Sequence, residues 1–423
     1  MPKLSRRTLL AGGAAISAAG LAVAGRPGDE SGPRDAYFLQ MQAALRKAGI
    51  ATPALVIDRT RMNANIDLLK RHLPEGMGYR IVVKSLPSPD LIRHIRQRAG
   101  TDRLMTFNLP MLLSLAGSMP EASQLLGKPL PVAAARHYFE RRKQADADRH
   151  IQWLIDTPER LARYADLAKT VGQRLRLNIE LDVGLHRGGF VPGEALGAAL
   201  RAIEASPHAE FSGFMGYEPH VASVPAILGW RERALEDAWR IYRTALEQAA
   251  AVFPPDTMAS ITRNAAGSPT YRFYRNTDIA NEIAAGSCLV KPSDFDTELL
   301  AQHRAASFIA TPVIKSLPVT RIPGLEPAYG AMRAWDPNAR KTVFIYGGNW
   351  LADPVDPPGL RHNDIFGRSS NQEMLNGGDR LDIEPGDFVF LRPHQSEAVF
   401  LQFGDIAVYD EGEIKEFWPV FEM

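Results

Sequence analysis

A lysine that closes a run of β-branched residues is the first chemically informative feature of this 423-residue chain. Residues 79–85 read Tyr-Arg-Ile-Val-Val-Lys-Ser, so Lys84 stands at the end of a buried strand, before a helix opening near Ser88. An unpaired ammonium is costly there. Desolvation favours the neutral amine, the form that makes a Schiff base. A lysine just emerging into solvent is the equally simple alternative. Residues 178–189, Asn-Ile-Glu-Leu-Asp-Val-Gly-Leu-His-Arg-Gly-Gly, end another strand in a polar, glycine-rich turn. Arg187 in that turn can hold a phenolate oxygen, a carboxylate or a phosphate, or simply pair with Glu180 or Asp182. Tyr217 and His220 follow a further strand, and a histidine so placed can act as acid or base. The turns Gly267-Ser268-Pro269-Thr270 and Gly286-Ser287-Cys288 combine glycine with hydroxyls, which lets backbone N–H groups close on a phosphate. Glycine and serine are ordinary turn residues, so each turn alone is a weak signal. Their order is the stronger one.

These residues need elements to position them. From Ala51 to about Val290, short apolar runs alternate with helical patterns: 54–57, 79–83, 104–107, 130–134, 151–155, 175–183, 211–217, 258–262 and 283–290. Between them lie helix-like stretches at 90–98, 158–170, 193–205 and 226–251, two of them opened by Ser88-Pro89 and Thr157-Pro158. Buried runs separated by helices imply βαβ units and a parallel sheet. Nine runs are one more than a (β/α)8 barrel needs, so the first is assigned to a second domain and the other eight to the barrel. After Pro292 the pattern becomes alternating and turn-rich, with strands expected at 341–346, 387–391 and 398–403, which argues for an antiparallel β domain. The expected fold is therefore α/β, a TIM-type barrel plus a C-terminal antiparallel β domain. Its expected parts are an address segment at 1–26, an N-terminal segment at 27–58 packing with the β domain, the barrel at 59–295 and the β domain at 296–423.

Composition excludes more than it names. Hydrophobic residues make up 45% and charged residues 23%, which fits a globular chain with ample core. The net charge of +1 gives no electrostatic reason to expect nucleic acid or an anionic membrane as partner. One cysteine, Cys288, excludes an intrachain disulfide and a multi-cysteine metal site. At the N-terminus, Ser5-Arg6-Arg7-Thr8-Leu9-Leu10 precedes an uncharged, Ala- and Gly-rich run to Ala24, with Ala22-Val23-Ala24 ahead of the expected cut. The segment resembles a bacterial twin-arginine export signal and implies a periplasmic protein with no stable membrane association after cleavage. An uncleaved membrane anchor is the alternative, although the run is short for a span.

Taken together, the motifs resemble the fold-type III pyridoxal phosphate enzymes, in the D-threonine aldolase and D-serine dehydratase group built on an alanine racemase-type N-terminal barrel. The likeness runs from about Thr52 to Val408. Thr52-Pro53-Ala54-Leu55-Val56-Ile57-Asp58 with Asn63 and Asn65 is similar to that group's start. Arg80-x-x-x-Lys84 resembles its cofactor-lysine segment, and Glu180-x-Asp182-x-Gly184-x-x-Arg187-x-Gly189 its arginine turn. Gly216-Tyr217-Glu218-x-His220 resembles its tyrosine–histidine turn, and Pro393-His394 its C-terminal metal segment. The resemblance implies a Schiff base on Lys84, a phosphate site at Gly267, Ser268, Thr270, Gly286 and Ser287, Arg187 and Tyr217 beside the cofactor ring, and a homodimer. Three departures stand out. The lysine segment lacks the family's histidines, Cys288 replaces an expected tyrosine, and the metal pair reads His394-Gln395-Ser396. A neutral serine hydroxyl is a poor ligand for Zn or Mn. Either the metal is lost, or an acid such as Asp364 or Glu397 replaces the ligand, or the chemistry differs.

Three functions follow from this resemblance. The first is a lyase of D-configured β-hydroxy amino acids, acting by retro-aldol cleavage or β-elimination, with Lys84 and His220 as catalytic groups. The second is an amino-acid racemase, with Lys84 as one base and Tyr271 or Tyr346 as candidates for the other. The third is a cofactor carrier, which the long C-terminal domain disfavours. Arg368 is read as a substrate-carboxylate contact or part of a solvated loop, and His72, His94, His150 and His303 as surface residues.

Overall fold

The computed structural model describes residues 26–321, 324, 330, 334–363 and 365–422. The export signal expected at 1–26, apart from Arg26, and Asp364 therefore lie outside the described residues. Among the described residues, no helix is long and apolar enough to cross a membrane.

The first strand, β1 (Ala54–Asp58), stands outside the barrel, as its surplus in the count of runs implied. Eight parallel strands close on themselves: β2 (Gly78–Val82), β3 (Arg103–Thr106), β4 (Ser123–Leu126), β5 (Ile151–Ile155), β6 (Leu175–Leu181), β7 (Ala209–Gly216), β8 (Thr262–Ala265) and β9 (Glu282–Ala285). Closure is the β2–β9 ladder, with Gly78 opposite Glu282 and Ile81 opposite Ala285. Local chemistry starts each intervening helix. Ser88, Asn108 and Thr157 accept hydrogen bonds from the backbone N–H groups of Leu91, Met111 and Arg160, each with a proline in the first helical turn.

Chain contacts divide the protein into two compact units, one of residues 1–54 and 308–392, the other of 55–307 and 393–423. The expected single cut near 295 differs from this division, because the chain returns to the barrel's unit at Pro393. In that unit β16 (Ile406–Asp410) pairs in parallel with β1, Val56 opposite Ala407, and antiparallel with β17 (Glu413–Trp418). All five residues of β1 are buried. The other unit is mainly antiparallel. In it β10 (Ser307–Leu317) pairs with β11 (Lys341–Tyr346) and β15 (Phe388–Pro393), and β14 (Gln372–Gly377) with β11 and β13 (Arg361–His362), while β12 (Ala352–Asp356) pairs with β15. The helix Ala36–Lys47 belongs to the same unit, where Phe38 lies 4.9 Å from Phe390 and 5.1 Å from Phe308 between ring centroids.

Three expected strands are corrected. The run 130–134 opens the helix Val132–Arg141 instead, since three consecutive alanines favour helix; the third barrel strand is the less conspicuous Ser-Gln-Leu-Leu at 123–126. The run 258–262 is mostly the end of a short helix, Pro255–Ser260, begun by a proline pair. The run 398–403 includes the end of a helical turn, Ser396–Val399, because so few apolar residues do not distinguish the two periodicities.

The barrel interior is polar. Arg80, Gln124, Gln152, Asn178, Ser212, Asn264 and Glu282, from seven of the eight strands, are all buried. Asn178 donates to Gln152 at 3.1 Å, and Gln152 crosses from β5 to Thr262 on β8 at 3.0 Å. Arg80 meets Glu282 with two bonds, Nε to Oε1 at 2.6 Å and an NH2 nitrogen to Oε2 at 3.0 Å, and also reaches the carbonyls of Leu104 and Ser123. Arg103 and Asn264 satisfy the remaining acceptor sites of Glu282. Burial alone would raise the Glu282 carboxyl, but the charge and hydrogen bonds of Arg80, with Arg103 and Asn264, hold it below its ordinary value.

Glu282→Gln keeps the shape and removes the charge, leaving Arg80 buried without its counter-ion. We expect a loss of about 3–5 kcal/mol in denaturant unfolding at neutral pH. The folded carboxyl lies below its unfolded value of about 4.3. Its stabilisation is therefore present above that value and lost as pH falls through the folded one. The unfolding free energies of wild type and Glu282→Gln should converge on acidification; a gap that is constant with pH would contradict the assignment.

Candidate active site

A cavity of about 760 Å³ opens where the barrel strands end, lined among others by Lys84, Phe107, Arg187, Tyr217, Glu180 and Glu397. Lys84 lies in a single helical turn, Val83–Ser85, directly after β2. Its side chain is 45% exposed, and Nζ is 3.1 Å from Glu397 Oε1 and 5.2 Å from the centroid of the Phe107 ring. The desolvation expected of a buried strand lysine is thus absent: the chain turns before Lys84, and a carboxylate arrives to meet the ammonium. Ser85 is buried, donates to Glu397 Oε1 at 3.0 Å and accepts from Ser287 Oγ at 3.0 Å.

The two glycine turns meet each other. Ser268 Oγ accepts from the N–H groups of Gly286 at 3.2 Å and Cys288 at 3.0 Å, joining the turn after β8 to the turn after β9. Both glycines are needed for close approach. A Cβ on Gly267 would stand 2.4 Å from the Tyr217 ring, and one on Gly286 would stand 2.6 Å from the Val82 carbonyl oxygen. Gly267, Ser268, Gly286 and Ser287 all line the cavity.

Thr270, expected in the same group, does not. It is fully buried and donates to Glu218 Oε1 at 2.7 Å while accepting from the Gly267 N–H at 3.1 Å. Glu218 also accepts from the Ala266 N–H at 3.3 Å, at a residue with φ of 65°. Glu218 therefore braces the whole turn from behind. Burial raises its carboxyl, opposed by these hydrogen bonds. The sequence reading quoted Glu218 within its motif without giving it this role.

Arg187 lies with its guanidinium carbon 5.4 Å from the centroid of the Tyr217 ring. The Tyr217 hydroxyl is pushed up to about 12, first by burial and then by the Glu218 charge. Burial also raises the Glu180 carboxyl, against the pull of Arg187. His220 is not among the cavity residues. It opens the short helix His220–Ser223, where Nε2 would be 3.3 Å from a Cβ on Gly184. Burial and then the neighbouring His186 depress its pKa, opposed by Asp182. The turn after β7 places this ring beside Gly184, and not among the residues that line the cavity with Lys84.

Tyr271 also lies off the cavity. Its hydroxyl is 2.9 Å from His303 Nε2 and 3.3 Å from His72 Nδ1. His303, expected at the surface, is buried, and burial depresses its imidazole to about 4. His72, His94 and His150 are half-buried. Cys288 is buried, with its thiol raised to about 12. Tyr346 and Arg368 belong to the other compact unit, where Arg368 pairs with the buried Glu373 and its hydrogen bond to Trp350 O is 2.8 Å. Ser396 is buried and its hydroxyl has no partner among the described residues, while the His394 carbonyl accepts from Asp294 N–H at 3.2 Å. Among the described residues, no three His, Cys, Asp or Glu side chains converge as a metal site.

The sequence reading did not single out Phe107, Lys128, Asp156, Arg160 or Ser85 as cavity residues. A signal was present for Phe107 and Asp156, since both directly follow barrel strands.

The family model described as "Alanine racemase, N-terminal domain" matches residues 57–294. No curated protein matches the chain. Among solved structures, the chain is similar to a D-threonine aldolase from Filomicrobium marinum, at 17% identity and a TM-score of 0.67 over 88% of this chain and 95% of that one. It is similar to D-threo-3-hydroxyaspartate dehydratase from Delftia sp. HT23, at 16% and 0.67 over 88% and 98%. It is also similar to alanine racemase from Clostridium difficile 630, at 13% and 0.67 over 87% and 98%. At these identities the likenesses show the fold.

Gly286→Ala should cost about 1–3 kcal/mol, because the obstacle is backbone and Val82 must move. Gly117→Ala, in the helix Leu109–Ser118 with nothing within 4 Å of the new Cβ, should be neutral or stabilise by up to about 1 kcal/mol. Thermal midpoints of the two variants check the contrast, and equal shifts would refute the close-approach argument.

Proposed function

Because the chain belongs to the alanine racemase N-terminal domain family, we propose that it is a pyridoxal phosphate-dependent lyase of D-configured β-hydroxy amino acids. The observation that carries the reading is the pairing of Lys84 Nζ with Glu397 Oε1 inside the cavity that the two glycine turns line. That arrangement puts an amine, a proton acceptor and an anion-sized cradle in one chamber.

The residues present fit pyridoxal phosphate. The turns at Gly267-Ser268 and Gly286-Ser287 line the cavity where an added Cβ would collide with neighbours, and the Ser268 oxygen accepts from two N–H groups, which leaves its own proton to donate, so they would hold the phosphate. Lys84 supplies the amine, and Arg187 and Tyr217 would flank the ring. When bound, the cofactor supplies the electron sink that makes bond cleavage at Cα feasible. The Tyr217 hydroxyl, held near 12, acts as a hydrogen-bond donor. Phe107 and Met105 supply apolar wall to the cavity, with the Phe107 ring centroid 5.2 Å from the Lys84 amine.

The donor set at His394 and Ser396 does not fit a catalytic metal, since a buried serine hydroxyl and one imidazole are too few and too weak as ligands. No step here uses one. Racemisation needs bases on opposite faces, and Tyr271, one of the two tyrosines considered for that role, is held by two histidines outside the cavity. This favours a lyase. The wider reading is of a homodimer acting on a small amino acid in the periplasm, delivered there by the arginine-pair signal at 1–26.

Purified protein loaded with pyridoxal phosphate should release glycine and acetaldehyde from D-threonine, or pyruvate from D-serine, and nothing from the L forms. Interconversion of enantiomers without a carbonyl product would instead establish a racemase. Lys84→Ala should lose both the visible absorbance of the bound cofactor and turnover while keeping its circular dichroism.

A further inference from the structure

The geometry points to Glu397 as the base that removes the proton from the substrate's β-hydroxyl, so that turnover proceeds without a metal. This assignment rests on the lyase reading.

Among the described residues, three carboxylates line the cavity: Asp156, Glu180 and Glu397. Asp156 is tied to Arg160 by an ion pair within the same helix start. Glu180 feels the charge of Arg187, and burial raises its carboxyl. Glu397 alone touches the Lys84 amine. Its Oε1 is doubly engaged, by Lys84 Nζ at 3.1 Å and the Ser85 hydroxyl at 3.0 Å, and Ser287 supports Ser85 in turn. These bonds fix the orientation of the carboxylate and, among the described residues, leave Oε2 without a partner, on a side chain 29% exposed at the cavity. A fixed carboxylate with one free oxygen beside the amine is what proton abstraction from a bound hydroxyl requires.

Position along the chain strengthens the argument. Glu397 directly follows His394-Gln395-Ser396, the segment that lacks a usable ligand pair, and lies in the first turn of the helix Ser396–Val399. The neighbour of the unsuitable donor set therefore carries a charge of its own into the cavity.

In the cleavage step, Glu397 Oε2 takes the β-hydroxyl proton and the O–H electron pair becomes the second carbon–oxygen bond of an aldehyde. The Cα–Cβ bond breaks with its pair left on Cα. Cα is then protonated, and glycine and the aldehyde leave, so that D-threonine gives glycine and acetaldehyde with no other reactant consumed. The carboxylate held beside the Lys84 amine suits the basic role in aldol cleavage by its position. Dehydration would ask the same group to deliver a proton to departing hydroxide.

The test compares wild-type holoenzyme with Glu397→Gln and Glu397→Asp on D-threonine, after exhaustive chelation and with metal content measured. Wild type should stay active with metal far below one equivalent. Glu397→Gln should keep the visible absorbance of bound cofactor and show kcat reduced by about 10²–10⁴-fold, with KM changed much less; Glu397→Asp should recover part of the loss. A cofactor-loaded Glu397→Gln within tenfold of wild type overturns the assignment, as does chelated wild type that is inert until Zn or Mn is restored. Wild type that releases no aldehyde from D-threonine under any condition overturns the lyase reading itself, a result separate from the failure of Glu397 alone.

Discussion

The buried ion pair between Arg80 and Glu282 is the constraint on which the rest of the barrel depends. It spans the seam where β2 and β9 close the sheet, and it ties that seam to β3, β4 and β8 through Leu104, Ser123 and Asn264. Its partners also sit at matched distances from the site. Arg80 precedes Lys84 by the same four residues by which Glu282 precedes Gly286. A slip of one residue in this ladder would reverse which side chains face the lumen. It would also displace the lysine relative to the glycine turn. Apolar replacements would tolerate such a slip better than a doubly hydrogen-bonded charge pair, whose misregistered forms leave a buried charge unpaired.

The barrel was legible where a strand is mostly apolar, as in Ile151–Ile155, or apolar at every second residue over seven positions, as in Leu175–Leu181. It became illegible where a strand of four residues gives half or more of them to polar side chains. Ser123-Gln124 and Thr262-Arg263-Asn264 hide β4 and β8 behind polar letters, while the nearby apolar stretches 130–134 and 258–262 attract the assignment. The site followed the same logic. The turns at 267 and 286 were visible because glycine is required where the Tyr217 ring and the Val82 carbonyl press against the backbone. The directions taken by Thr270, His220 and Tyr271 were not, since each sits on a strand-end turn and its side-chain direction is set by packing behind that turn. Thr270 turns to Glu218, His220 to Gly184 and Tyr271 to His303.

The polar groups behind the cavity form a support for its floor. Glu218 fixes Ala266 in a left-handed conformation that lets the chain double back, and Thr270 relays that restraint to Gly267. Ser268 then couples the two turns. A cradle for an anion must keep its donors aimed before the anion arrives, because reorienting them on binding would subtract from affinity. Here the aim is set by a carboxyl group that never reaches the cavity.

Charge at the mouth is assembled from segments far apart in the chain. Lys84 comes from the first barrel strand, and Glu397 arrives more than three hundred residues later, after the chain has built its other compact unit and returned at Pro393. Such a contact closes a long loop, so its entropic cost must be met by packing elsewhere. The returning segment provides this: β16 pairs with β1, β17 pairs with β16, and Phe421 donates its N–H to the Pro87 carbonyl beside the lysine turn. The carboxylate is thus carried by a piece of chain anchored on both sides of it within one unit. A barrel ending at residue 307 would retain the amine and the glycine turns while losing Glu397, the acid that touches the amine. The return of the chain at 393 is what converts a cofactor-sized cavity into one with an acid–base partner.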